Sequence, residues 1–327
     1  MPNLMKTWKT YNGLLFLKET FRTVMDGKVF CGKNRALHRE RYGRRTKLSA
    51  AETNDCYREL ILSGKPFLAG RLGSAEMRRV NRYVMKQLGL CKGYKEAHIR
   101  SVLLNKSPAL ADWYAEQIIS LLPNVDIMPV WCPIGEAYLV RQFAKKAKLT
   151  HLADIEPFFY EHPWTAALKG KKVLVINPFD ESIRLQYKKR ELLFENPEIL
   201  PEFELHTLKS VMVLTPEDNT YGTIIDAVDY MYEEAMKTDF DIALLGCGPQ
   251  GMILAERFRQ QGKQAIYLGG VLQILFGIKG SRWDVMPTHS TLYNEHWIYP
   301  VEEPPKGAEK LDSACYWKQG RQQKETP

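Results

Sequence analysis

ALLGCGPQG, residues 243–251, is an apolar run that breaks into three glycines spaced Gly246-x-Gly248-x-x-Gly251. The run has the length and composition of a buried strand, and the glycine spacing matches a dinucleotide-binding turn feeding a helix. The glycines let backbone approach an anion, and a helix beginning near Gln250 aims its free N–H groups and positive dipole end at it. Pro249 suits that first turn because it has no N–H to leave unsatisfied. The same glycines also serve a tight strand-to-helix turn through backbone freedom alone. A nicotinamide enzyme needs, in addition, an acid about 20 positions on, at the end of the next strand, to hold the ribose hydroxyls. That strand ends Leu268-Gly269-Gly270, with no acid.

Working outward, short β-branched runs alternate with amphipathic stretches. Residues 66–70, 125–131, 171–177, 210–214, 241–246 and 264–269 read as strands. SAEMRRVNRYVMKQLG, EAYLVRQFAKKAKL and TIIDAVDYMYEEAMK carry apolar residues at helical spacing. This alternation predicts an α/β domain around a mostly parallel sheet of about six strands flanked by helices. The expected organisation is a basic, partly helical segment over 1–58, a catalytic domain over 59–300 and a polar tail over 301–327.

Ligands of open parallel sheets sit outside the carboxyl ends of the strands. The six predicted strand ends offer Arg71, Gly73, Ser74 and Glu76; then Glu136; then Asn177 and Asp180. The last three offer Thr215, Asp218, Asn219 and Tyr221; the glycine turn; and Gly269, Gly270 and Gln273. Ser74 also suits a helix N-cap and Glu76 the first helical turn, roles that need no ligand. Arg71 beside Glu76 nevertheless puts a permanent cation and a carboxylate on the rim, and the Arg fork is well shaped to grip phosphate.

The 327 residues are 45% hydrophobic and 26% charged, which is ordinary for a globular protein and excludes a disordered chain. The net charge of +8 is local: residues 1–50 hold twelve Lys or Arg against three acids, a net +9, and the remainder carries −1. A basic segment containing LLFLKETFRTVM suits either a solvated helix or contact with an anionic membrane surface. No zinc finger or RNA-recognition motif accompanies it, so no nucleic-acid partner is expected. Six scattered cysteines without C-x-x-C spacing point to reduced thiols, and no apolar run approaches the roughly 20 residues of a membrane span. A cytoplasmic protein, with peripheral contact at the inner membrane face, is the expected setting.

RLGSAE at a strand end, PIGEAYLV, GKKVLVINPF, LLGCGPQG and YLGGVLQILFGIKGSRWD together resemble the bacterial glycosyltransferases of the GT-D fold, over roughly residues 60–297. The resemblance implies a Rossmann-like domain that transfers a hexose from a nucleotide diphosphate sugar, such as a UDP-sugar, to a cell-surface glycan or lipid-linked glycan. The family pattern Arg-x-Gly-Asp-x-Glu is matched by Arg71, Gly73 and Glu76, with Ser74 in place of the Asp. That Asp-x-Glu pair is associated with a divalent metal, so the substitution leaves open whether Glu76 holds Mn2+ or Mg2+ or whether Arg71 neutralises the leaving group without metal.

On this reading Glu76 is metal ligand or base, and Arg71 and the Gly246–Gly251 turn, with Gln250, surround the phosphates. Glu136 and Asn177 are candidates for sugar or ribose hydroxyls. Gly270, Lys279 and Arg282 are further nucleotide-sugar candidates, and Asp284 a second base candidate. Asn294, His296 and Trp297 lie together near the domain's end, where a Trp serves packing as readily as sugar stacking. Two other readings stay open: an NAD-dependent oxidoreductase or epimerase, and a non-catalytic nucleotide-sugar-binding protein.

Overall fold

The computed structural model describes residues 12–21, 41–42, 45–99, 102–218, 220–310 and 314–318. Asn219, Cys31 and most of the basic N-terminal segment lie outside them. A seven-stranded, wholly parallel sheet forms the centre. Its strands are β1 (Phe67–Gly70), β2 (Ile127–Val130), β3 (Lys148–His151), β4 (Lys172–Asn177), β5 (Glu204–Lys209), β6 (Ile242–Leu245) and β7 (Gln264–Tyr267). The spatial order is β3-β2-β1-β7-β6-β4-β5. β1, β2, β6 and β7 are buried at every position, because helices cover both faces and leave no solvated side to alternate toward.

Among the described residues, besides a helix at 12–21, eight α-helices of five or more residues accompany the strands: α1 (Ala50–Leu62), α2 (Ser74–Gln87), α3 (Pro108–Leu121), α4 (Glu136–Gln142), α5 (Asp180–Tyr187), α6 (Ile224–Met236), α7 (Gly251–Gln260) and α8 (Val271–Leu275). Two apolar clusters lie against the sheet. One gathers Met77, Val80, Tyr114, Ile118, Leu139, Val228 and Phe258 from α2, α3, α4, α6 and α7. The other gathers Tyr57, Ile61, Ile183, Leu272 and Trp297, including residues of α1, α5 and α8. The chain therefore leaves β1 and β6 toward one face and β7 and β4 toward the other, so central neighbours diverge at their carboxyl ends. That divergence opens a crevice of the kind in which α/β sheets bind ligands.

Two sequence expectations need correction. Residues 210–214 are not a strand; the strand is 204–209, which pairs with 172–177 through to Lys209 opposite Asn177. Beyond Asn177 the partner strand has ended, so SVMVL runs on without a ladder. Its apolar character comes instead from the two cores, with Val211 and Val213 in one and Met212 and Leu214 against the other. The helix expected to run on to 149 stops at Gln142, and KLTH at 148–151 forms β3, an edge strand capped laterally by Leu48 N donating to Leu149 O at 2.8 Å.

The polar tail is not simply laid on the surface. Among its described residues, Trp317 and Ala308 are buried in the second cluster, and Trp317 meets Phe179 edge-on. Among the described residues no helix is long and apolar enough to cross a membrane, and no disulfide joins any two of Cys56, Cys91, Cys132, Cys247 and Cys315.

Candidate functional site

At the carboxyl ends of β1, β7, β6 and β4, four side chains and three glycines touch in sequence. β1 ends at Gly70 and the chain turns through Arg71 and Gly73 into α2, whose first turn contains Glu76. Glu76 is 93% buried, since only 7% of its surface stays exposed. Tyr267, the last residue of β7, donates its phenol to Glu76 Oε1 at 3.3 Å. Burial first, and then the Glu76 carboxylate, push the Tyr267 phenol well above its ordinary pKa, while Arg71 opposes the shift. The Arg71 guanidinium lies over the Tyr267 ring at 6.0 Å. Its Nε is buried without a hydrogen-bond partner. Arg71 as a whole is half-buried, so its fork keeps an open side for an anion, while the buried, unpaired Nε–H carries a cost.

The glycines here are fixed by neighbours. A Cβ at Gly73 would run into the Glu76 carboxylate and stand 2.8 Å from Arg71 Nη1. At Gly269, where φ is +64°, it would stand 2.9 Å from Arg71 Nη2. Gly269 O would meet a Cβ at Gly246 at 2.9 Å, and Asn177 Nδ2 would meet it at 2.5 Å. Arg71, Glu76, Gly73, Gly246 and Asn177, chosen from separate parts of the sequence, are thus brought together.

The glycine turn itself has a wholly steric explanation. Gly246 makes room for Asn177 and Gly269, Gly248 has φ +67°, and a side chain on Gly251 would overlap the Tyr267 ring. Gln250 is buried, and Tyr114 of α3 ties the turn down by donating to Pro249 O at 3.1 Å. Asn177 is spent mainly on backbone: Nδ2 donates to Gly246 O at 3.3 Å and Oδ1 accepts from Phe179 N at 2.9 Å. The 3-10 turn Gly248–Gln250 leads straight into α7 and takes up its first amide, Gly251 N donating to Gly248 O, so what the turn presents is the positive dipole end of α7.

The helix start after β4 is occupied from within. Glu302 Oε1 accepts from Glu181 N at 2.9 Å and Ser182 N at 3.0 Å, and its other oxygen takes the Ser182 hydroxyl. A carboxylate of the C-terminal segment therefore sits where that end of α5 would take an anion. Asp180 is paired with Arg184 at 2.6 Å.

Other candidates fall elsewhere. Glu136 is fully buried and acts as an anchor for its own loop: Oε2 accepts from Tyr42 Oη at 2.8 Å, Cys132 N at 2.9 Å and Trp131 N at 3.2 Å. Cys132 is held there at φ +65°. Burial pushes the Glu136 carboxyl up to about 7, with Tyr42, the two amides and Lys47 pulling the other way. It has no open face for a sugar or ribose hydroxyl. Asp284 accepts from Tyr293 at 3.2 Å and Tyr299 at 2.9 Å, so its carboxylate is engaged away from Glu76. Arg282 donates to Tyr316 Oη at 3.2 Å, and Lys279 lies over Tyr293 at 5.4 Å. Gly270 faces Trp283 and Tyr316. Trp297 is core, donating to Leu193 O at 2.8 Å, and Asn294 also bonds that backbone.

Ser74 is exposed at the mouth of α2. Among the described residues no three His, Cys, Asp or Glu side chains group as a metal site. Among the described side chains in contact around Arg71, Glu76 is the one carboxylate, and Tyr267 already engages one of its oxygens, so these residues by themselves do not supply the several oxygen ligands a hard divalent ion wants. Sequence reasoning missed Tyr267 and Tyr114. Tyr267 carries a signal in retrospect, a phenol at the last position of an otherwise apolar strand.

No protein-family model and no curated protein matches the chain. A solved structure titled as a selenomethionine-substituted domain of unknown function 1792 is similar at 11% identity and a TM-score of 0.38, over 68% of this chain and 78% of that one.

Proposed function

We propose that this chain is a glycosyltransferase that moves a sugar from a nucleoside diphosphate sugar, such as a UDP-sugar, to a glycan hydroxyl. The observation that carries the reading is the pairing at the central rim of a half-buried cation, Arg71, whose Nε is buried without a hydrogen-bond partner, with the buried carboxylate of Glu76. Sugar transfer needs those two charges. As the acceptor oxygen bonds to the sugar carbon, its proton passes to Glu76 Oε2, and the bond from that carbon to the diphosphate breaks. The leaving diphosphate gains negative charge, which Arg71 and the positive dipole end of α7 stabilise. Tyr267 holds Glu76 in place through the other oxygen. No metal step is invoked, because one carboxylate does not supply a divalent site.

A dinucleotide-dependent enzyme is disfavoured by Gly269 and Gly270 at the position of the ribose acid. The acceptor belongs, on this reading, to surface-glycan assembly at an anionic membrane. The described helix 12–21 turns Leu14, Leu17 and Phe21 outward, 64%, 49% and 66% exposed, beside Lys18. Spacing of three and four residues puts them on one apolar stripe in a basic segment.

Thermal stabilisation by UDP, UDP-sugars and NAD(H), each with and without Mn2+, tests the reading. UDP and at least one UDP-sugar should raise Tm irrespective of Mn2+. Stabilisation by NAD(H) alone would sink the proposal, and UDP-sugar binding without transfer or hydrolysis would leave a binding protein.

A further inference from the structure

A cavity of about 340 Å3 lies along α2. That volume falls within the range of small-ligand sites. Ser74, Arg78 and Arg82 recur every four residues along the helix, so they line up at steps of about 6 Å. Met77, Met85 and Ile134 supply apolar wall, and His98 closes one side. Among the described residues that line it there is no Asp or Glu. Arg82 spends Nε on Gly93 O and keeps its other nitrogens, while Arg78 is exposed. Asn81, in the same wall, is buried with Oδ1 lacking a hydrogen-bond partner. His98 is pushed below its ordinary pKa by burial and by the charges of Arg82, Lys95 and Arg78, as expected of a uniformly positive pocket.

We propose that this cavity binds the phosphate or diphosphate group of the sugar acceptor, with Arg78 and Arg82 gripping the anion. This rests on the glycosyl-transfer reading of Glu76 and names the acceptor's chemistry. The cavity begins at Ser74, the first residue of α2 and two before Glu76, and Arg78 and Arg82 stand about 6 and 12 Å of helix rise farther on. An acceptor hydroxyl that reaches Glu76 across the N-terminal end of α2 carries an anionic group a sugar ring or two away, on the cavity side of the helix. Two forks offer more N–H donors than a single carboxylate can take up, and they match the oxygens of a diphosphate. The methionines and Ile134 accommodate an apolar chain attached beyond it.

Titration calorimetry with inorganic pyrophosphate, farnesyl diphosphate and farnesol, with and without excess UDP, tests this on the full chain. Both diphosphates should bind in the presence of UDP, and farnesol should not. Arg78→Glu should weaken binding at least tenfold with Tm unchanged, and Arg78→Lys should restore part of it. Tighter binding of farnesyl diphosphate than of pyrophosphate identifies a lipid-borne phosphate, and equal binding a soluble one. Displacement by UDP, or affinity indifferent to Arg78→Glu, overturns the proposal. The readout needs no transfer: Arg78-dependent diphosphate binding in a protein that ignores UDP and UDP-sugars would keep the anion cavity and remove the transferase reading.

Discussion

Tyr267 and Glu76, 191 positions apart, meet at the centre of the sheet's carboxyl rim, where the phenol donates to Glu76 Oε1 at 3.3 Å. The bond connects the end of β7 to the first turn of α2 and leaves Oε2 facing Gly73 and Arg71. A carboxylate held by one oxygen keeps the other for a proton.

Glu76→Gln keeps the shape and the capacity to accept from Tyr267 but removes the base. Transfer should fall by about 100-fold or more, the range of a lost general base. Thermal unfolding should barely move. A rate equal to wild type would remove Glu76 from the chemistry.

Gly269→Ala separates backbone strain from crowding. Its φ is +64° and its Cβ would press on Arg71, whereas Gly170, at φ +73°, has open space around it. Both substitutions should cost about 1 kcal/mol of stability for left-handed backbone. Only Gly269→Ala should weaken UDP, by about tenfold, as expected from one impaired charge-assisted contact. Equal UDP affinity for both variants would show that Arg71 does not hold the nucleotide.

Glu136 gives the stability a pH signature. Its folded pKa, about 7, is above the ordinary carboxylate value of 4.5, so between these limits the folded chain binds more protons than the unfolded. Stability should therefore be highest below about pH 4.5 as far as this group is concerned, fall as pH rises, and level off above 7. The total is on the order of 3 kcal/mol. Glu136→Gln should flatten that slope in urea midpoints compared at pH 5 and 8; an unchanged slope would assign it to other groups.

Glu302→Ala should unsatisfy Glu181 N and Ser182 N at the start of α5 and cost about 1–2 kcal/mol. Differential scanning calorimetry reads it. No change in Tm would mean that water replaces the carboxylate without loss.

Replacing Leu14, Leu17 and Phe21 together by Ser should reduce sedimentation with anionic vesicles at least tenfold, each lost side chain withdrawing roughly 1–2 kcal/mol of apolar burial. Raised salt should weaken the wild-type interaction as well. Equal partitioning of the triple variant would leave this face without a membrane role.

The sheet was largely legible because its central strands are short apolar runs bounded by turn residues, and that pattern reports burial on both faces. The edges were not. ELHTLK forms β5 with polar residues facing water, while the more apolar SVMVL beyond it threads between two cores without pairing. KLTH disappeared into the helical periodicity of the stretch before it. At the site, Arg71, Gly73, Glu76 and Gly246 were legible because strand ends converge on one rim. Glu136 was misplaced, since a carboxylate after a strand looks alike whether it faces a ligand or anchors its own loop.

The sequence by itself determined the α/β alternation, the rim on which polar strand ends collect and the absence of a ribose acid after the glycine turn, all of which follow from local pattern and chain order. Only the tertiary structure decided that Tyr267 holds Glu76, that the Arg71 Nε is buried and unbonded, that Glu302 fills the start of α5 and that Arg78 and Arg82 face a cavity. Each of these depends on groups far apart in sequence meeting at atomic distance, and hydrogen bonding and charge act only at that range.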